Sequence, residues 1–449
     1  MVAVSGEHIV TVGNGRVASD NVIDARGDWI VPAFNDAHVH FLMAARSLRE
    51  LDLFGVESQA EVERRIQEYA GTHDGGWVLG RGWFYSAFPG GMPAVELLDR
   101  LVPDRPAYLE SFDAHTGWAN SRALAIAGVT TREALKETAM LDVTRVIPRT
   151  RQQDLDALRA GMRLAASMGV GTVQEAGDGQ NQLGLWDALR DAGGLTLRVR
   201  LAFDLTPGRD IEAYDGLRHD DDPWVSTGIL KAFADGVVES KTAAMLEPYA
   251  GSHERGEPVW GPGELRQSVH AADARGWQVQ VHAIGDAAIR QALDAFEGSA
   301  PGRRHRVEHI ETPDPADVAR FARLGVVASM QPQHAAPAML DVWRRHLGSA
   351  RAARGWPWKA LLESGARLAF GTDWPVVPLD PFASIAEATR DLPLEAAVDA
   401  WTSGAAYAEH REAEKGDLRE GMLADIAVVD LESRRVRATI VGGRVVHEG

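Results

Sequence analysis

Short apolar runs rich in β-branched residues recur along the chain, and most are separated by segments whose apolar residues fall at helical spacing. Eight of these runs read as strands: Pro32–His40, Gly171–Glu175, Leu197–Phe203, Gly228–Phe233, Gln278–His282, Arg306–Ile310, Val326–Gln331 and Arg367–Asp373. Helices are predicted between them over Gln153–Met168, Gly263–Arg275, Asp286–Phe296 and Pro315–Leu324. Strands alternating with helices imply parallel βαβ units, and eight such units close into a barrel more readily than they form an open sheet. The expected fold class is therefore α/β, a (β/α)8 TIM barrel.

Two parts of the chain break the alternation. The stretch Phe41–Gln152 is too long for one crossover helix, so residues 42–152 are expected to contain an inserted subdomain. Strands are predicted there at Trp77–Trp83 and Ala107–Phe112, with an amphipathic helix over Glu57–Ala70. At the termini, His8–Val12, Ile426–Val429, Arg437–Val441 and Arg444–Val446 are short β-rich runs beside glycine turns. Neither end alone has enough strands for a stable sheet. Residues 1–31 and 417–449 are therefore expected to form one composite small β domain flanking a barrel body of residues 32–416.

Composition narrows the function. With 449 residues, the chain is long enough for a barrel of about 250 residues plus additions. A net charge of -17 argues against nucleic acid or an anionic membrane as partner, since both are bound through clustered cations, and favours a small-molecule substrate. There is no cysteine, so any metal must be held by nitrogen and oxygen. The N-terminus lacks a basic segment followed by an apolar one, and no run of about 18 apolar residues occurs, so a cytoplasmic location is expected. No feature decides between a monomer and a homodimer.

Within this frame certain residues stand out. His38-Val39-His40 closes the first strand, and residues two apart on a strand point the same way, so both imidazoles can reach one ion. His282, His309 and Asp373 each fall at the C-terminal end of another predicted strand, the barrel face on which active sites are built. Lys231 lies in the otherwise apolar run Gly228–Phe233, where an uncompensated ammonium is costly. Two readings of it stand side by side: an ion pair with Asp235 or Glu239, or conversion of a neutral amine by carbon dioxide to a carbamate that bridges two metals.

The ordered segments Pro32-Ala-Phe-Asn-Asp-Ala-His-Val-His, Gly169-Val-Gly-Thr-Val-Gln-Glu, Leu230-Lys-Ala-Phe-Ala-Asp-Gly, Val281-His-Ala-Ile-Gly-Asp-Ala-Ala, Arg306-Val-Glu-His and Phe370-Gly-Thr-Asp-Trp-Pro-Val together resemble the amidohydrolase superfamily. More narrowly they resemble its family 3 branch, which contains N-substituted formamide deformylase. The insertion segment Asp113-Ala-His-Thr-Gly-Trp-Ala-Asn and the closing Gly416-Asp-Leu-Arg-Glu-Gly-Met-Leu-Ala-Asp resemble the same branch. The resemblance implies that His38, His40 and Asp373 bind one zinc ion, that His282 and His309 bind a second, and that N6-carboxylated Lys231 bridges them. The chain departs from the pattern in three places: Ala33 stands where glycine is usual, the sequence is read as starting one strand late, and the Gly128–Thr150 segment is short.

The chemistry implied is hydrolysis of a carbon–nitrogen bond in a non-peptide amide, with a metal-bridging hydroxide as nucleophile and Asp373 as general base and then acid. A one-metal deaminase is the enzymatic alternative, disfavoured because His282 is followed by Ala-Ile-Gly-Asp rather than by an early Glu. Ester or lactone hydrolysis and a catalytically silent binding barrel are the others. Trp83, Phe84, Asp113, His115, Trp118, Gln331 and Trp374 lie beside the motifs and are candidates to line the substrate pocket, and His334 is a further loop residue that could touch substrate.

Overall fold

In the computed structural model, which describes residues 1–449 apart from Arg16 and Asp74, eight parallel strands form the central sheet. They are β1 (Phe34–Val39), β2 (Val170–Glu175), β3 (Arg198–Asp204), β4 (Val225–Phe233), β5 (Gln278–Ala283), β6 (Arg306–His309), β7 (Val327–Met330) and β8 (Leu368–Phe370), each hydrogen-bonded to the next in that order. The expected barrel is present. Its last seam, between β8 and β1, is joined just beyond the end of β8. The Asp373 amide donates to the His38 carbonyl at 2.7 Å, and the Asp36 carboxylate accepts from the Thr372 hydroxyl at 2.6 Å and the Thr372 amide at 3.0 Å. Gly371 permits this approach, because a Cβ there would lie 2.5 Å from the His38 nitrogen.

The run expected as one strand over Pro32–His40 is two. Trp29–Pro32 pairs antiparallel with Ile426–Asp430, the Ala33 amide donates to the Asp425 carbonyl at 2.9 Å, and the barrel ladder begins at Phe34. Ala33 is thus the step between two sheets. The flanking sheet runs Arg444–Glu448, Arg435–Val441, Ile426–Asp430, Trp29–Pro32, all antiparallel. The hairpin of Val2–Ser5 and His8–Val12 joins it where Ile9 donates to Met422 and Ala424 donates to Glu7, both at 2.8 Å. Ile9, Met422, Ile426, Val428, Ala438 and Ile440 bury a shared apolar core. The two chain ends pair with each other, as marginal strands without their own hydrophobic face must.

The insertion after β1 carries a five-stranded sheet of Leu51–Asp52, Val78–Trp83, Ala107–Ser111, Thr116–Ala119 and Leu135–Lys136. Its helix Gln59–Thr72 starts at Ser58, whose side chain caps it, and buries Val62, Ile66 and Ala70, spaced by fours on one face. Helices Asp286–Phe296 and Pro315–Leu324 form over the predicted residues. The second has an Asp314 cap, proline in its first turn and a left-handed Gly325 at its end, the signals that bounded it in the sequence. Among the described residues no helix is long and apolar enough to cross a membrane.

A polar network crosses the barrel interior. Arg306 of β6 is buried completely and donates to Gln174 of β2 at 2.5 Å, Ala37 of β1 at 2.5 Å, Glu308 at 2.9 Å and Ser329 of β7 at 3.0 Å. A guanidinium so placed is tolerable only because its donors are met by a carboxylate and neutral acceptors.

Candidate metal centre and cleft

At the C-terminal end of the barrel, four of the six predicted ligands converge on one another. His38 and His40 leave β1 on the same side. His38 Nε2 lies 3.5 Å and His40 Nε2 3.4 Å from Asp373 Oδ1, and Lys231 Nζ lies 3.4 Å from His38 Nε2. These separations match those between neighbouring ligands of a tetrahedral ion with bonds of about 2.0–2.1 Å, which are about 3.3 Å. Asp373 Oδ1 is buried and has no hydrogen-bond partner. A carboxylate oxygen left open between imidazole nitrogens is what a bound cation would satisfy. Donor atoms of His38, His309 and Asp373 all lie within 4.8 Å of one another.

His309 reaches this cluster through the backbone. Glu308 and His309 are consecutive, and regular strand alternation would send them to opposite faces. Both nevertheless meet His38: Glu308 Oε2 accepts from His38 Nδ1 at 2.5 Å, and the His309 ring lies 4.8 Å from the His38 ring between centroids. The φ of +74° at His309, followed by +53° at Ile310, turns the chain out of the strand and permits this. Asp373, expected at the end of a strand, lies three residues beyond β8, also with a positive φ of +60°. Such backbone is sterically unfavourable for these residue types and clusters at functional sites.

The imidazoles are oriented for ligation. His38 donates Nδ1–H to Glu308, and His309 donates Nδ1–H to Gln331 Oε1 at 2.8 Å, so in each Nε2 is the unprotonated nitrogen, that of His38 meeting Lys231 Nζ at 3.4 Å. His282 is placed differently. Its ring packs 4.5 Å from that of His309, but its Nε2 donates to the Gly236 carbonyl at 3.1 Å, leaving Nδ1 open. Burial pushes His38, His282 and His309 well below the ordinary imidazole range and His40 to about 3, so all four are neutral, the form that binds metal. Burial raises Asp373 to about 6 against the opposing pull of His334, Lys231 and His115. Burial also lowers Lys231 to about 8, although Glu308 and Asp373 act to keep it charged. No described carboxylate lies within 4.0 Å of its amine; Asp235 instead accepts backbone hydrogen bonds from Ala244, Ile284 and Gly285. The donor set, the open oxygen and the easily deprotonated lysine fit a divalent-metal site.

Beside this cluster a narrow cleft opens to solvent, walled by Asp113, His115, Glu239, Glu311, His334 and Trp356 among others. Of the pocket candidates, Asp113 and His115 reach the cleft from the insertion and line it. Trp83 and Trp118 are instead buried within the insertion, their indole nitrogens bonded to the Leu109 and Ala94 carbonyls. Phe84 stacks on Phe112, Trp374 packs edge-on against Phe41, and Gln331 sits behind His309. Sequence reasoning did not single out Glu308, Glu137 or Glu311. Glu308 carried the same signal as Lys231, a charge inside a strand. Glu137 opens a single 3-10 turn and Glu311 follows the end of β6, and neither position carried one.

The chain matches the family model described as Amidohydrolase family over residues 21–447, and it belongs to that family. It is thus an enzyme of the amidohydrolase class, a hydrolase of carbon–nitrogen bonds. It is 29% identical over 97% of its length, and 84% of the relative's, to the protein LONG AFTER FAR-RED 3 of Arabidopsis thaliana. It is 24% identical over 96% of its length, and 89% of the relative's, to an N-substituted formamide deformylase of Arthrobacter pascens. A crystal structure of an uncharacterized metal-dependent hydrolase from Pyrococcus horikoshii superposes with a TM-score of 0.78 over 99% of this chain and 95% of that one, at 23% identity, and shows the same fold.

Proposed function

We propose that the protein is a metal-dependent hydrolase that cleaves the carbon–nitrogen bond of a small non-peptide amide, an N-formyl or N-acyl amine. The observation that carries this reading is the open, buried Asp373 Oδ1, 3.4 Å from His40 Nε2 and 3.5 Å from His38 Nε2 at the base of a cleft. Family membership and the formamide deformylase relative support the bond type. Zinc suits a nitrogen and oxygen donor set. His38, His40 and Asp373 would hold one ion and His282 and His309 a second, with the carbamate of Lys231 between them. When bound, the metal supplies Lewis acidity and a water acidic enough to ionise near neutral pH.

The side chains do the rest. Asp373 accepts the proton of the attacking water and passes it to the departing nitrogen, a role suited to a carboxylate raised to about 6. Glu308 and Gln331 hold the His38 and His309 rings in place through their Nδ1–H groups. The insertion residues Phe112, Asp113 and His115 line the cleft beside the reacting groups. The test is metal analysis of the purified protein combined with assays on N-formyl and N-acyl amines. Metal at two ions per chain with amide cleavage supports the reading. A single ion with ammonia released from a ring substrate replaces it with a deaminase.

A further inference from the structure

A second cavity, of about 310 Å³, lies at the N-terminal end of the barrel, away from the metal cluster. It is lined by Arg200 of β3 and Gln278 of β5, and Gly228, on the strand between them, contributes no side chain. The space therefore reaches down to the sheet. At its wall the Gly276 carbonyl accepts from Arg218 Nη2 at 2.9 Å and from Arg303 Nη1 at 2.8 Å, which brings those two guanidinium groups side by side. Two residues on, Gln278 Oε1 accepts from Arg200 Nη2 at 3.3 Å.

Arg200 differs from the other guanidinium groups on this wall. Arg218 pairs with Asp220 at 2.6 Å, Arg303 with Asp273 at 2.6 Å and Arg411 with Glu414 at 2.7 Å, while Glu409 is taken by Lys415 at 2.8 Å. Of the wall carboxylates this leaves Asp221, which is exposed. Arg200 is 7% exposed, and no described carboxylate lies within 4.0 Å of its guanidinium. Its Nη1 donates to the Glu409 carbonyl at 2.6 Å and its Nη2 to Gln278, which takes two of its five N–H groups, and its Nε is buried without a partner. Burial lowers Arg200 to about 10 against the pull of Glu409 and Asp220, so it keeps its charge at neutral pH. A buried cation with open donors beside a cavity is unfavourable unless an acceptor enters.

We propose that this cavity is a second binding site of the protein, separate from the amide chemistry, and that it takes a small carboxylate anion on the open edge of Arg200. The planar guanidinium presents Nε–H and Nη–H groups as a fork that fits the two oxygens of a carboxylate. One uncompensated positive charge among closed pairs calls for one negative charge. This favours a monocarboxylate over a phosphate dianion, whose second charge the nearby Asp220 and Glu409 repel. An anion that binds only the folded chain raises its melting temperature.

The experiment measures the melting temperature of the metal-loaded enzyme against sodium acetate, with ionic strength held constant by sodium chloride. Acetamide serves as the neutral isostere and sodium phosphate as the dianion. The wild type should show a saturable rise with acetate, at an apparent affinity about tenfold or more above that for acetamide, the worth of charged hydrogen bonds. Arg200→Gln should abolish this rise, while its melting temperature without acetate should not fall, since the substitution removes a buried cation that no carboxylate pairs. Arg200→Lys keeps the charge and loses the fork, so it should retain a weaker rise. Metal content should be unchanged in both variants. An equal rise in Arg200→Gln overturns the proposal by placing the acetate on the metal or elsewhere. No rise in the wild type, or one matched by acetamide, overturns it too. Where Arg200→Gln does not fold, Arg200→Lys decides, and an acetate affinity equal to that of the wild type overturns the proposal. A larger Arg200-dependent rise with phosphate overturns the choice of a monocarboxylate.

Discussion

The two ends of the barrel are both rich in buried charge, but they treat it in opposite ways. At the N-terminal end, Arg198 makes a two-pronged ion pair with Asp425 of the flanking sheet at 2.7 and 3.0 Å, and Glu409 is met by Lys415 at 2.8 Å and Asn35 at 2.6 Å. Among the described residues Arg200 Nε, Trp277 Nε1 and His305 Nε2 lack a partner at this end, but the charged pairs that tie the barrel to the elements beneath it are closed. At the C-terminal end, Asp373 Oδ1, Gln331 Nε2 and His334 Nε2 are buried and open, and the backbone of His309, Ile310 and Asp373 is in the left-handed region. Paired charge holds the layers of the barrel together; unpaired charge and unfavourable backbone persist only where a ligand completes them. The contrast yields a rule that experiments can break: substitutions at one end should act on stability, and at the other on chemistry.

The largest expected effect is at the mouth. Asp373→Asn preserves size but removes the proton acceptor, so turnover of an amide substrate should fall by about 10²–10⁴, the usual worth of general acid–base catalysis. Elemental analysis should find most of the metal retained and urea denaturation a nearly unchanged midpoint. An active Asn variant would end the role assigned to Asp373. Next in size is the opposite test at the floor. Arg198→Met leaves Asp425 buried without its cation, which should cost about 3–5 kcal/mol in unfolding free energy. Its KM and kcat should stay at wild-type values, and a kinetic defect in a protein that remains folded would blur the distinction between the ends.

How much of this contrast was readable beforehand follows from what kind of residue carries it. The paired histidines of β1 and His282 were legible because strand alternation and strand ends are local properties. Lys231 was legible as a charge in an apolar strand. His309 and Asp373 could be named as residues, but their reach into the site depends on positive φ angles that regular alternation does not anticipate. Trp83 and Trp118 stood beside motifs in sequence yet face the insertion's own core, because proximity along the chain says nothing about which sheet face a side chain takes. Glu137 meets His115 across 22 positions, and Glu239 meets Asp113 only when the insertion folds over the barrel. Such tertiary partners leave no local periodicity to detect.

A third prediction uses pH to sharpen the account of the mouth. In the metal centre proposed above, Asp373 must be ionised and the Lys231 amine neutral before it is carboxylated, so binding would release protons and apparent affinity would rise with pH. With Lys231 at about 8 and Asp373 at about 6, lowering the pH from about 8 to about 6 should weaken binding about a hundredfold, most of it from the lysine. Below about 6 the slope should steepen as Asp373 joins. The histidines contribute little there, since burial already keeps them neutral, His40 down to about 3. Chelator competition at fixed bicarbonate, where neutral amine plus bicarbonate gives carbamate plus water and no further proton is released, measures this curve, and Lys231→Gln should flatten its upper limb. A steep fall that begins near 6.5 would instead identify the imidazoles as the titrating ligands.

The smallest effect concerns a residue that touches neither metal nor substrate. Gln331 follows β7 directly and accepts from His309 Nδ1 at 2.8 Å, while its own amide nitrogen is buried without a partner. The acceptor fixes the tautomer that leaves His309 Nε2 available. Gln331→Leu keeps the apolar volume and removes the open Nε2, which should offset part of the lost hydrogen bond in folding, so the urea midpoint should hardly move. Metal affinity should nonetheless drop about tenfold, the low end of the range for partners of metal-binding histidines, because a neutral amide polarises the ring less than a carboxylate does. Chelator competition reads the affinity. Gln331→Glu supplies the stronger acceptor and should restore or exceed the wild-type value. If both variants bind metal like the wild type, then His309 is held by packing and its φ of +74° alone, and the mouth of the barrel owes its geometry to backbone rather than to side-chain partners.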